Sequence, residues 1–176
     1  FYIGPSRDQG LLKGLDYVCT NNLNKADFVL ATGVIDDTDE LDRYEADLQT
    51  AAANQLPLIC TNPDSIVVRQ NGDRVICAGA IARKYQKIGG TAHYFGKPHA
   101  TFYQTCLNQL KDVSPNRILA VGDTLQTDIK GAQTVSLTTA LVLGGILAKE
   151  LNIAWGETPA PDRLKKLCAK QGIFPD

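Results

Sequence analysis

Residues 117–145 read RILAVGDTLQTDIKGAQTVSLTTALVLGG, and this stretch decides the fold class. The apolar run Ile118-Leu119-Ala120-Val121 stops abruptly at Gly122-Asp123. Thr127-Asp128 follows, then a helical stretch that closes at Gly131-Ala132. A second apolar run, Ala140-Leu141-Val142-Leu143, ends in Gly144-Gly145. Short, continuously apolar, branched runs are expected to be strands buried on both faces, as in a parallel sheet. Ligands of such sheets sit at the carboxyl ends of the strands. Asp123 stands at such an end, and Asp128 stands in the first turn of the next helix. Two carboxylates on one strand-end loop suit a hard cation such as Mg²⁺, which takes oxygen ligands and keeps several waters.

Outward from this stretch the same alternation continues. Upstream, strands are expected at Phe1-Tyr2-Ile3, Tyr17-Val18-Cys19, Asp27–Ala31 and Leu58-Ile59-Cys60. Ser6-x-x-Gln9 has the form of a capping box opening a short helix through Leu11, Leu12 and Leu15. Asp37-x-x-Glu40 precedes a helix from about Thr38 to Asn54, with Leu41, Tyr44, Leu48, Ala51 and Ala52 on one face. Ile66-Val67-Val68 and Arg74–Cys77 flank Gln70-Asn71-Gly72-Asp73, a hairpin signal. A helix from about Gly79 to Ile88 ends at Gly89-Gly90. His93-Tyr94-Phe95 forms a strand before Gly96-Lys97-Pro98, and the helix from His99 to Lys111 is expected to bury Phe102, Cys106, Leu107 and Leu110. After the Ala140–Leu143 strand come a short helix from Ala148, a loop over Ala154–Pro161 and a last helix over Asp162–Lys170. The class is α/β throughout. A soft boundary near Gly89–Thr91 divides residues 1–90 from 91–176.

The totals exclude several classes. Net charge is -1 in 176 residues, so nothing electrostatic favours nucleic acid or an anionic membrane surface. No apolar run approaches the ~20 residues that span a bilayer. The five cysteines are scattered singly, without metal-site spacing, and are expected to be small core residues in a reducing, cytoplasmic setting. The chain holds no methionine and opens inside a strand pattern, so Phe1 is not expected to be the natural start.

Polar signals stand at three strand ends: Asn62-Pro63-Asp64, Gly96-Lys97-Pro98 and Gly122-Asp123 with Thr127-Asp128. Each also has a plain structural explanation. Lysines usually lie solvated in loops. Asp123 suits an Asx turn, and Asp128 suits the dipole of a helix first turn. Asn62-Pro63-Asp64 suits a turn. A strand-end lysine is also a point charge that can neutralise phosphate.

Together, Gly96-Lys97-Pro98-His99 and Gly122-Asp123-Thr124-Leu125-Gln126-Thr127-Asp128-Ile129, in that order, resemble the third and fourth motifs of the haloacid dehalogenase superfamily of phosphohydrolases. The strings Ala26–Gly33, Cys60–Asp64 and Ala78-Gly79-Ala80 are similar to the large α/β cap of its NagD-like, class IIA branch. The resemblance covers about residues 1–150. It implies an α/β cap domain over 1–90 and the C-terminal half of a Rossmann-like core over 91–176. It also implies a Mg²⁺-dependent phosphatase that works through an aspartyl-phosphate on a small phosphorylated metabolite, a sugar or nucleotide. In that scheme Asp123 ligates Mg²⁺. Asp128 supports the metal through water or holds Lys97, and Lys97 neutralises the nucleophile and the phosphoryl group. Asn62 and Asp64 face the leaving group.

The chain departs from the family in its first motif. The nucleophile-bearing Asp-x-Asp-Gly is absent, and Asp37-Thr38-Asp39 stands at a helix start instead. Thr20-Asn21-Asn22 imitates the second motif but lies too late in the chain, and turn preferences account for it. The expectation is therefore a fragment that cannot turn over substrate by itself, with a half-sheet whose open edges invite a homo-oligomer or its own N-terminal piece. Two alternatives are a truncated, non-catalytic pseudo-phosphatase that binds a ligand or partner, and a response-regulator-like receiver. In a receiver the lysine follows the acidic strands, whereas Lys97 precedes Asp123.

Overall fold

The computed structural model describes residues 1–69, 72–154 and 156–176. The expected turn at Gln70-Asn71 and the Trp155 position of the expected loop lie outside them. The chain forms two compact units, Phe1–Phe95 and Gly96–Asp176.

The first unit is built on a parallel sheet of β1 (Tyr2–Ile3), β2 (Val29–Ala31), β3 (Leu58–Cys60) and β6 (Ala92–Tyr94), in the order β1-β2-β3-β6. Between β3 and β6 lies the antiparallel hairpin of β4 (Ile66–Val68) and β5 (Arg74–Ile76). The units meet after Phe95 rather than near residue 90, because β6 pairs in register with β3 and so joins the first sheet. Helices α1 (Glu45–Ala53) and α2 (Ala78–Lys87) bury Leu48, Ala51, Ile81, Ala82 and Tyr85 in one core with Ile3, Val29, Ala31, Leu58 and Cys60. The strands follow one another across the sheet in chain order. Right-handed crossovers then put both helices on the same face. The opposite row, Tyr2–Leu30–Ile59–His93, is only partly covered. The strands of this sheet are thus buried on one face, not two.

Several local expectations fail for identifiable reasons. Tyr17–Cys19 pairs with no strand, and Val18 is 94% exposed. Thr20 Oγ1 accepts from Asn22 N, and Asn22 Oδ1 accepts from Asn24 N at 3.0 Å, so this stretch is a turn and helix cap. The Ser6–Gln9 box does not form. Ser6–Leu12 is a 3₁₀ run with no side-chain cap and no buried residue. The helix expected from Thr38 begins as a 3₁₀ turn at Leu41–Tyr44. Before it, Asp36 Oδ1 accepts from Thr38 N and Asp39 Oδ2 accepts from Asp36 N, local bonds that compete with helix.

The second unit holds α3 (Ala100–Gln109), β7 (Leu119–Gly122), a π-helical turn at Leu125–Ile129, α4 (Lys130–Gln133), β8 (Thr138–Leu141), α5 (Ala148–Leu151) and α6 (Pro161–Gln171). β7 and β8 pair in parallel. Ala120 turns toward a small core of Tyr103, Ala132 and Leu137. Leu119 and Val121, on the other face, are 55% and 62% exposed. The expected two-sided burial fails here because, among the described residues, β7 pairs with β8 alone and one face is clothed. β8's outer edge is closed by Asp176, whose Oδ2 accepts from Thr139 N and Oγ1 at 2.8 Å each. α3 buries Tyr103 and leaves Phe102, Cys106 and Leu110 exposed, because Tyr103 faces the π turn. Cys60, Cys77 and Cys168 are core residues as expected, but Cys19 and Cys106 are exposed.

Candidate active site

β7 ends at Gly122, and the chain turns at once through Asp123 and Thr124 into the π turn that carries Asp128. Asp128 N and Ile129 N both reach back to Thr124 O, at 3.0 and 3.2 Å. The second of these is the longer-range bond that widens a helix into a π turn, a feature frequent at functional sites. The wide turn brings Asp128 back over the strand end. A Cβ on Gly122 would lie 2.2 Å from Asp128 Cγ, so only glycine leaves room for that carboxyl group. Gly145, after β8, does the same for Asp123: a Cβ there would lie 2.0 Å from Asp123 Oδ2. Two glycines that punctuate the sequence are seats for the two acids.

Thr124 links the acids. Its N–H donates to Asp128 Oδ2 at 3.1 Å, and its hydroxyl donates to Asp123 Oδ1 at 3.3 Å. Ile146 N donates to Asp123 Oδ2 at 3.0 Å. Lys97 Nζ donates to Asp128 Oδ1 at 2.6 Å, an ion pair in which Asp128 is 12% and Lys97 37% exposed. The Lys97–Pro98 peptide is cis. Tyr103 Oη donates to Thr127 O at 3.2 Å and Asp128 O at 3.0 Å. The structure therefore brings Lys97, Asp123 and Asp128 together around one strand end. It gives Asp128 to the lysine and leaves Asp123 on separate supports.

The donor set suits a hard cation in part. Among the described residues no group of three or more His, Cys, Asp or Glu side chains could hold a metal. Asp123 offers carboxylate oxygens, and among the described residues its Oδ1 carries one long bond, from a neutral hydroxyl. Mg²⁺ is commonly held by one or two carboxylates with water and substrate phosphate completing its shell. The chemistry of Asp123 fits one such contribution.

Asn62 and Asp64 belong to the first unit. Asn62 Oδ1 accepts from Asp64 N at 3.2 Å, an Asx turn. The turn is fastened to α2: Arg83 Nη2 donates to Pro63 O at 3.0 Å, and a Cβ on Gly79 would lie 2.1 Å from that same carbonyl. Cys60 and Cys77 lie nearby, and burial pushes each thiol from 9.0 to about 11. Sequence reasoning named Gly122 and Thr124 only as parts of the motif around Asp123 and Gly145 only as the end of a strand, without a role for any of them, and it missed Tyr103. Thr124 and Gly122 flank Asp123 directly, which is a usable signal. Tyr103 and Gly145 carry none without the fold.

A family model described as HAD-hydrolase-like matches residues 94–167, which include Lys97, Asp123 and Asp128. The chain is 34% identical over 94 residues to the glycerol-3-phosphate phosphatase of Rattus norvegicus, covering 53% of this chain and 29% of that protein. It is 36% identical over 95 residues to the ribonucleotide monophosphatase NagD of Escherichia coli (strain K12), covering 53% and 36%. The chain thus spans about a third of the length of these curated relatives. Among solved structures it resembles a hydrolase of the haloacid dehalogenase-like family from Brucella suis 1330. That match has a TM-score of 0.78 and 33% identity over 94% of this chain and 62% of that one. No helix among the described residues is long and apolar enough to cross a membrane.

Proposed function

The chain belongs to the haloacid dehalogenase-like hydrolases, in their NagD-like class IIA branch, and from that premise we propose that the full-length parent protein is a Mg²⁺-dependent phosphatase. Its substrate is a small phosphorylated metabolite, a sugar or nucleotide phosphate. The observation that carries this reading is the Lys97–Asp128 ion pair at 2.6 Å beside Asp123 at the end of β7.

In this reading an aspartate from outside residues 1–176 attacks phosphorus. The bond to the leaving alkoxide breaks, and the alkoxide takes a proton. Water then cleaves the aspartyl-phosphate, releasing phosphate and restoring the carboxylate. Mg²⁺, when bound, supplies charge neutralisation to the phosphoryl oxygens. Asp123 offers it a ligand. Lys97 contributes a fixed positive charge, and Asp128 fixes where that charge points. Positioning and neutralisation are what phosphoryl transfer chiefly demands. The Asn62–Asp64 turn selects the leaving group. Residues 1–95 act as the cap and residues 96–176 as the C-terminal half of the core.

The same reading assigns the free side of β7 to the parent's own N-terminal piece. The exposed Leu119 and Val121, and the pairing of β7 with β8 alone among the described residues, support that assignment. A cytoplasmic setting suits five unpaired cysteines. The test is hydrolysis of p-nitrophenyl phosphate by the parent with Mg²⁺ or with EDTA. Activity should require Mg²⁺ and fall to the level of an Asp123→Asn control without it. Activity equal in both arms, or absent in both, sinks the reading.

A further inference from the structure

Lys97 and Asp128 can act together only if the π turn holds Asp128 within reach of the lysine, and Tyr103 touches that turn. Tyr103 lies on α3, the helix that follows Lys97-Pro98-His99. Its hydroxyl donates to two successive carbonyls of the π turn, Thr127 O and Asp128 O. Thr127 O already accepts from Lys130 N–H at the end of the π turn, so the tyrosine adds a side-chain donor from a different helix to that backbone. The single phenolic proton is shared between these two carbonyls. The ring is held as well. It occupies the space a Cβ on Gly131 would need, with Cε2 only 2.5 Å from that point. Phe102 packs edge-on against it at 5.5 Å. Ring and hydroxyl together link α3, the helix that follows Lys97, to the turn that carries Asp128.

We propose that Tyr103 is a positioning residue: its hydroxyl fixes the Thr127–Asp128 backbone so that the Asp128 carboxylate meets Lys97 Nζ. Its catalytic consequence rests on the phosphatase reading, whereas the geometric claim does not. The experiment uses the full-length parent and reads two quantities. The first is pulse acetylation of Lys97 by acetic anhydride, followed by mass spectrometry. The second is p-nitrophenyl phosphate kinetics. Tyr103→Phe keeps the ring and loses the donor. It should raise the Lys97 acetylation rate about fivefold, the equilibrium worth of one hydrogen bond, and lower kcat by a similar factor with KM little changed. Leu107→Val loosens the same small core without touching the hydroxyl and should leave Lys97 acetylation at the wild-type rate. The proposal is overturned if Tyr103→Phe acetylates at the wild-type rate, or if Leu107→Val raises the rate as much. A parent without phosphatase activity sinks the functional reading alone, since the acetylation rates still decide the role of Tyr103.

Discussion

The Asn62–Asp64 turn and the Asp123–Asp128 loop are the same device used in two ways. Each follows a strand of a parallel sheet, carries acid and amide or hydroxyl groups, and leads toward a helix or hairpin. Each depends on a glycine that lets a polar group come close, Gly79 in one and Gly122 and Gly145 in the other. In the first, what comes close is the Pro63 backbone carbonyl, and Asn62 spends its oxygen on Asp64 N. In the second, what comes close is a pair of carboxyl groups, one ion-paired to Lys97. The strand end that is the stronger candidate for chemistry is the one where two carboxylates are held side by side by neighbouring N–H groups and one of them meets a cation. The Asn62–Asp64 strand end holds its amide oxygen in an Asx turn with no ion pair beside it among the described residues.

The sharpest way to break this comparison is to fill the glycine seats. Gly145→Ala should drive a methyl into the Asp123 carboxylate and cost the parent at least about a hundredfold in activity, a displacement effect of the size expected for misplaced catalytic groups. Gly79→Ala should destabilise the first unit by about 1–3 kcal/mol through overpacking. At temperatures where the protein stays folded it should leave Mg²⁺ binding intact. Thermal unfolding and p-nitrophenyl phosphate assays on the two variants check both. Equal losses of activity at equal stability would erase the distinction.

A smaller effect is expected at the ion pair. Asp128→Asn leaves Lys97 without its carboxylate and should cost about 1–2 kcal/mol of unfolding free energy, moderated by the partial exposure of the lysine. Urea denaturation measures it.

The first unit should show its own pH signature. Burial raises the Cys60 and Cys77 thiols from 9.0 to about 11. A raised folded-state value means the folded state holds its protons longer than the unfolded chain does. The stability this contributes is complete below pH 9 and is lost as the pH rises toward 11. Alkaline denaturation of wild type against a Cys60→Ala, Cys77→Ala double variant should show the slope shrink between those values.

The smallest effect is at Thr127, whose buried hydroxyl has no partner among the described residues. Thr127→Val removes an unsatisfied polar atom at nearly constant shape and should leave stability unchanged or raise it by up to about 1 kcal/mol. A loss of stability would reveal a partner for that hydroxyl.

What the sequence made legible is the part written in local order. Strand-Gly-Asp, the helix after it and the lysine between glycine and proline are contiguous patterns, and the structure places Lys97, Asp123 and Asp128 around one strand end. What it hid depends on partners distant in the chain. Nothing in His93-Tyr94-Phe95 says that its strand pairs with Leu58–Cys60 and so belongs to the first sheet. Nothing in α3 says that Tyr103 rather than Phe102 turns inward, because that choice is made by the carbonyls of a π turn and by Gly131. The expectation of two-sided burial failed at Leu119 and Val121 for a related reason. Composition reports that a residue is apolar and cannot report which faces of its sheet are clothed.

The central claim is that Asp123 is the metal-side acid and that the Asn62 turn is not. Calorimetric titration of the parent with Mg²⁺ in the presence of inorganic phosphate tests it most directly. Asp123→Asn should weaken Mg²⁺ binding at least about tenfold, while Asn62→Ala leaves it at the wild-type value. Unchanged Mg²⁺ affinity in Asp123→Asn would contradict the account.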